Sequence, residues 1–311
     1  MRLPMRWSIW WPTALAKPSD GGSVTGTQQV APRPAREYDM RRLSYAGTFS
    51  NPLKAGTIRS IEWLTAKVTL LRLIRQFEAS GAPFGVPFWP KAIRTMGIDI
   101  LTPPEEIARI PATGPVVVVA NHPHGLVDGM IMAEMVSRVR GDFKILTRSL
   151  LTGIPEIEQF MIPVPFPHED NARELGLQMR NETMAHLKAG GLVILFPAGK
   201  VAMSEGWWGP AVEAEWNVFT HKMVRLSGAT ILPMRFTGQN SRLFLIANKL
   251  SDTLRQGLLL YEIKRALFKP QRPHIGHPIP PSELDKWEGN PRGFLAWLRE
   301  HTLALGKDPA R

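Results

Sequence analysis

The fold is decided by Val116-Val117-Val118-Val119-Ala120-Asn121-His122-Pro123-His124-Gly125-Leu126-Val127-Asp128-Gly129. Its first five residues are an unbroken apolar run rich in β-branched side chains. Such a run reads as a strand buried on both faces of a helix-covered sheet. Pro123 has no N–H to continue a ladder, and Gly125 permits a sharp turn. A helix then follows over Leu126–Val139. In open α/β sheets, ligand sites gather where a strand ends and a helix begins.

Working outward, Phe143–Thr147 reads as a strand and Met161–Phe166, with its prolines, as an edge strand. Ala172–Lys188 is helical and closed by Gly190-Gly191. Leu192–Phe196 is a strand, Val212–Leu226 a helix closed by Gly228, and Thr230–Phe236 a strand. Pro273–Ile279 forms a late strand and Gly293–Leu305 a final helix. This alternation predicts an α/β fold with a mostly parallel central sheet flanked by helices.

Upstream, Ile58, Ile61, Leu64, Val68, Leu71 and Phe77 recur at helical spacing, interleaved with Lys67, Arg72, Arg75 and Gln76. A second short helix follows Pro90 and ends near Gly97. Residues 17–56 are rich in Gly, Ser, Thr, Pro and Gln without periodic apolar positions, so they read as a flexible arm. Three parts result: a basic arm over 1–56, amphipathic helices over 57–97 and an α/β domain over 98–311. Met1–Ala16 carries Trp7, Trp10 and Trp11 beside two arginines, which suits a membrane-surface anchor better than a signal peptide. A start at Met40 would account for the same stretch.

The chain has 311 residues, no cysteine and a formal charge of +11. Disulfides, thiolate metal sites and a cysteine nucleophile are excluded. Nine cations and three anions fall within residues 1–60. A basic end and no apolar run near the ~20 residues that cross a bilayer point to an anionic membrane face. Nucleic acid is the weaker choice, since no motif of the usual recognition modules is present.

Asp128 falls in the first turn of its helix, where negative charge is favoured. Its carboxylate can accept from one ring nitrogen of His122, leaving the other to take a proton from a hydroxyl. No Gly-x-Ser-x-Gly nucleophile lies at a strand end, so the chemistry suggested is direct attack by a substrate alcohol. Taken alone, the pair reads first as a loop histidine and a helix-capping aspartate, and it is the further blocks that shift the reading toward catalysis. Phe196-Pro197-Ala198-Gly199-Lys200 follows another buried strand, as a plain turn or as an anion-binding turn of backbone N–H groups beside Lys200. Arg148, just past the strand ending at Thr147, suits a phosphate or carboxylate, or a surface ion pair. The spacing does not fit two zinc-binding histidines on one helix face.

In this order, the blocks resemble the glycerolipid acyltransferase superfamily, typified by bacterial 1-acylglycerol-3-phosphate acyltransferases. The resemblance runs from about Ile98 to Pro281. The His-x4-Asp block matches His122 and Asp128, the arginine block Arg148, the Phe-Pro-Glu-Gly block Phe196–Gly199, and the Val-Pro strand Leu232-Pro233. The turn differs in having five residues between His122 and Asp128, a form similar to one bacterial branch. His124 is therefore a rival base. Ala198 replaces the usual Glu, which leaves Lys200 to hold an anion. The resemblance implies an O-acyltransferase of phospholipid biosynthesis, with acyl-ACP or acyl-CoA as co-substrate and a lysophospholipid acceptor. It implies no metal and no bound cofactor. His122 and Asp128 would be catalytic, with Arg148, Phe196, Pro197, Gly199 and Lys200 binding substrate. Asn121, His124, Trp207 and Trp208 are further candidates. The enzyme is then expected to be cytoplasmic, peripheral on the inner face of the cell membrane. Two other readings remain: a non-enzymatic basic protein that binds lipid or nucleic acid, and an acyl-ester hydrolase using the same pair.

Overall fold

The structure is a computed structural model, which describes residues 43–48, 51–147, 154–165 and 171–307. The expected anchor over 1–16 and Arg148 lie outside the described residues, as does most of the arm. All described residues belong to one compact unit.

Order begins earlier than the expected position near Thr57. A short 3-10 turn covers Tyr45–Thr48, and helix α1 runs Pro52–Glu62. Asn51 starts it, its side chain accepting from the backbone N–H groups of Leu53 and Lys54. Buried Glu62 ties the preceding turn down by accepting from the Ser44 hydroxyl and the Tyr45 N–H. The helix continues through a π turn, Trp63–Lys67, into α2, Val68–Ala79. Helices α3, Phe88–Thr95, and α4, Pro104–Ile107, lead to the sheet.

The core elements follow as β1 (Val116–Ala120), α5 (Leu126–Ser137), β2 (Phe143–Thr147), β3 (Met161–Pro163), α6 (Ala172–Lys188) and β4 (Leu192–Leu195). A small antiparallel ribbon comes next, β5 (Met203–Ser204) with β6 (Ala211–Val212). Then come α7 (Val218–Ser227), β7 (Thr230–Arg235), α8 (Arg242–Leu250), α9 (Asp252–Gly257), α10 (Leu259–Ala266), β8 (His274–Ile275) and α11 (Pro291–Ala304). The main sheet has the order β3-β2-β4-β1-β7-β8. All its pairs are parallel except β7 with β8.

β1 lies inside the sheet, and its residues alternate between two cores. Val116, Val118 and Ala120 pack with α5, Trp89 and Phe143. Val117 and Val119 face Leu187, Val224 and Phe294 on the other side. Both faces are covered, so every position of β1 is apolar. Helix α5 is buried along nearly its whole length, which explains its lack of a polar face.

Three expectations are corrected. The helix read from Val212 begins at Val218, because Asn217 caps it and Ala211–Val212 pair with β5 instead. The late strand shortens to His274–Ile275 plus a bridge from Ile279 to Ile231, since Pro273 and Pro278 offer no N–H. Helices α8 to α10 fill a region in which the sequence reading placed no element. Their buried Phe244, Leu245, Leu260 and Ile263 anchor them.

Candidate functional site

The turn between β1 and α5 has the expected shape and holds more than expected. Gly125 takes φ +80 and ψ −134, a conformation that side-chain-bearing residues avoid. The bend places Asp128 in the first turn of α5, fully buried beneath the two histidines. Its Oδ2 accepts from the backbone N–H of His124 at 2.8 Å and of Gly125 at 3.1 Å. The same oxygen meets His122 Nδ1 at 3.1 Å, while Oδ1 meets His124 Nδ1 at 3.0 Å. Burial pushes this carboxyl up, but the hydrogen bonds and charge of the two rings outweigh it and hold it below the ordinary aspartate value. An ionised carboxylate only accepts, so both Nδ1 atoms carry their protons and both Nε2 atoms are left for other work.

The His122 ring stacks on Phe196, centroids 3.8 Å apart and planes 22° from parallel. The parallel register of β1 with β4, Val119 opposite Leu195, brings the two strand ends level. The His122 N–H donates to Glu213 Oε2 at 3.1 Å, and its carbonyl accepts from Ala202 N–H at 2.9 Å. Glu213 Oε1 in turn accepts from the Trp216 indole N–H at 3.2 Å. Burial pushes the Glu213 carboxyl up against the hydrogen bonds it receives. His122 and His124 side chains are 16% and 17% exposed, so the rings are sheltered but reachable.

The other candidates divide. Phe196 forms the platform under His122. Pro197 is buried, its carbonyl accepting from Asn217 N–H. Gly199 and Lys200 are exposed on the next turn, Gly199 at φ +65. Asn121 turns away from the site. Its amide donates to the Phe236 carbonyl at 2.9 Å and accepts from the Phe236 N–H at 2.8 Å, so it fastens the end of β1 to the end of β7. Trp207 and Trp208, at the tip of the β5–β6 ribbon, are 51% and 77% exposed.

Sequence reasoning missed Glu213, Trp216, Gly238 and Glu262. Gly238 has φ +94, and a side-chain carbon there would lie 3.0 Å from His124 Nε2. Gly238-Gln239-Asn240-Ser241 begins three residues past β7, at the same sheet edge as His122, so the strand-end rule had the signal to find it. Glu213 had none, lying 91 residues from the atom it accepts from. A cleft of about 490 Å³ lies elsewhere, against His221, Arg225, Pro281 and Asp285, and includes none of the candidate residues. Among the described residues, no group of three or more His, Asp and Glu side chains is arranged to hold a metal ion.

The fold is an α/β sheet with its candidate site at the ends of parallel strands, where open α/β sheets bind their ligands. Residues 104–237, from α4 through the end of β7, match the family model described as Acyltransferase. This stretch is less than half of the chain, holds His122, Asp128 and Phe196–Lys200, and is similar to an acyltransferase domain. No curated protein matches it. Among solved structures it is similar to the 1-acyl-sn-glycerophosphate (LPA) acyltransferase PlsC from Thermotoga maritima. Identity is 15%, coverage is 86% of this chain and 87% of that one, and the TM-score is 0.47.

Proposed function

We propose that this enzyme moves a fatty acyl group from an acyl thioester, acyl-ACP or acyl-CoA, to the hydroxyl of a lysophospholipid. The observation that carries the reading is the buried, ionised Asp128 holding the His122 ring by Nδ1, with Nε2 free at the sheet edge. His122 Nε2 takes the hydroxyl proton as the alcohol oxygen attacks the thioester carbonyl. Asp128 stabilises the imidazolium that forms. Collapse of the tetrahedral intermediate breaks the C–S bond and expels the thiolate, which takes up a proton to become the free thiol. Lys200 beside the Gly199 turn, and Arg148, are the cations proposed for the acceptor phosphate.

Exposed groups support work at an anionic lipid surface on the inner face of the membrane. Leu53, Trp63 and Leu64 are exposed on α1 and its π turn, near Lys54 and Arg59. Trp207 and Trp208 share a unit with Leu243 and Leu250 of α8, because Lys249 donates to the Glu205 carbonyl and Arg242 to that of Gly209. No described helix is long and apolar enough to cross a bilayer.

The test is incubation of the purified chain with palmitoyl-CoA or palmitoyl-ACP and lysophosphatidic acid, followed by mass spectrometry. Phosphatidic acid is the expected product. Free palmitate with no diacyl lipid would show a hydrolase instead.

A further inference from the structure

The acyl-transfer reading uses one histidine, yet the carboxylate that orients it holds two. His122 and His124 bind opposite oxygens of Asp128 through equivalent atoms, at 3.1 and 3.0 Å, and are equally exposed. Among the described residues, neither Nε2 has a hydrogen-bond partner. His124 is more than a prop for the turn, because its backbone N–H already supplies a turn contact to Asp128. Space at its Nε2 is kept by Gly238, where a β-carbon would approach to 3.0 Å.

One buried carboxylate neutralises one imidazolium. Two charged rings would leave a net positive charge in a sheltered site, and two neutral rings would leave the carboxylate uncompensated. The balanced state is one charged ring and one neutral ring, which is the pairing an acid and a base need. The surroundings decide which ring is charged. From α10, buried Glu262 adds negative charge toward His124, while Arg265, paired with Glu262, offsets part of it. Burial disfavours a charged His124, but the hydrogen bond and charge of Asp128, with Glu262, outweigh it and hold the ring above the ordinary histidine value. Glu213 meets His122 through the backbone N–H, not the ring, and burial pushes that carboxyl up.

Resting on the acyl-transfer reading above, we propose that His124 is a second catalytic group, the acid that protonates the departing thiolate. His122 Nε2 accepts the proton of the alcohol, the new C–O ester bond forms, and the C–S bond breaks. His124 Nε2 gives its proton to the sulfur, and both rings reset by exchange with solvent. Without His124, the thiolate leaves unprotonated.

The experiment compares wild type, His124→Gln and His122→Gln with two acyl donors, palmitoyl-CoA and an aryl thioester whose thiol is far more acidic. With palmitoyl-CoA, His124→Gln is expected to lose about a hundredfold in kcat and the alkaline fall of its pH profile. With the aryl thioester it recovers most of that loss, whereas His122→Gln does not. Equal loss of His124→Gln on both donors, or no loss on either, overturns the proposal. A second readout does not need turnover. In histidine-labelled protein, nitrogen NMR is expected to show both Nδ1 atoms protonated and His124 titrating above an unperturbed histidine. Titration at or below that value overturns the acid role. Wild type inactive with both donors, but with this ring behaviour, would sink the acyl-transfer reading and leave the divided proton pair standing.

Discussion

Replacing Asp128 with Asn keeps the shape of the side chain and removes its charge. Three donors converge on Oδ2, from His124 N–H, Gly125 N–H and His122 Nδ1, and one meets Oδ1. The amide can satisfy only one side. Its oxygen must face the two backbone N–H groups, so its NH₂ faces His124 Nδ1 and forces that ring into the other tautomer. A hydrogen bond to a charged group is worth about 1 kcal/mol more than a neutral one. Four weakened or lost contacts, less the relief of no longer burying a charge, give a loss of about 2–4 kcal/mol. His122 loses the partner that stabilises its imidazolium, so kcat falls by a factor on the order of 10³. Urea unfolding at neutral pH measures the first effect and acyl transfer the second. The pH dependence has a definite sign. The Asp128 carboxyl is held low in the folded chain, so its contribution is present above the unfolded aspartate value. It is lost as pH falls through the folded value. The stability gap between wild type and the variant therefore narrows on acidification. Unchanged stability and kcat within threefold of wild type would refute the reasoning.

Other substitutions separate the roles. Gly125→Ala meets only an ordinary contact, Val201 Cγ2 at 3.7 Å, but must hold φ +80, so it is expected to destabilise by about 1–3 kcal/mol in thermal unfolding. Wild-type stability there would mean that the turn relaxes. Asn121→Ala leaves both backbone groups of Phe236 unpaired and should destabilise by about 2–3 kcal/mol, with KM unchanged in the folded fraction. A KM effect alone would place Asn121 in the substrate site after all. The double change of Trp207 and Trp208 to Ser should leave the unfolding midpoint unchanged and weaken sedimentation with anionic liposomes several-fold. Unaltered liposome binding would remove the ribbon tip from the lipid contact.

What the sequence made legible is what short-range chemistry dictates. The β-branched run of β1, the break at Pro123, the bend at Gly125 and the carboxylate in the first turn of α5 are all read within fourteen residues. The alternation of strands and helices fixed the mostly parallel sheet. What stayed hidden depends on distant contacts. Asn121 reads as a site residue beside His122, and only the neighbouring strand end at Phe236 reveals it as a fastener between β1 and β7. Glu213, the residue after β6, supports His122 from a ribbon outside the main sheet, with no local pattern to mark it. The ribbon of β5 and β6 is two residues per strand, too short for any periodicity, so Val212 was absorbed into the helix that Asn217 in fact begins. His124 was legible as a rival to His122. That Asp128 holds both is a matter of geometry that spacing alone does not decide.

The most direct check on the account is the rate of palmitoyl transfer to lysophosphatidic acid by His122→Gln, set beside wild type at matched folded fraction. The account predicts a fall of at least about a thousandfold with the unfolding midpoint little changed. Transfer near the wild-type rate in a well-folded variant would contradict it.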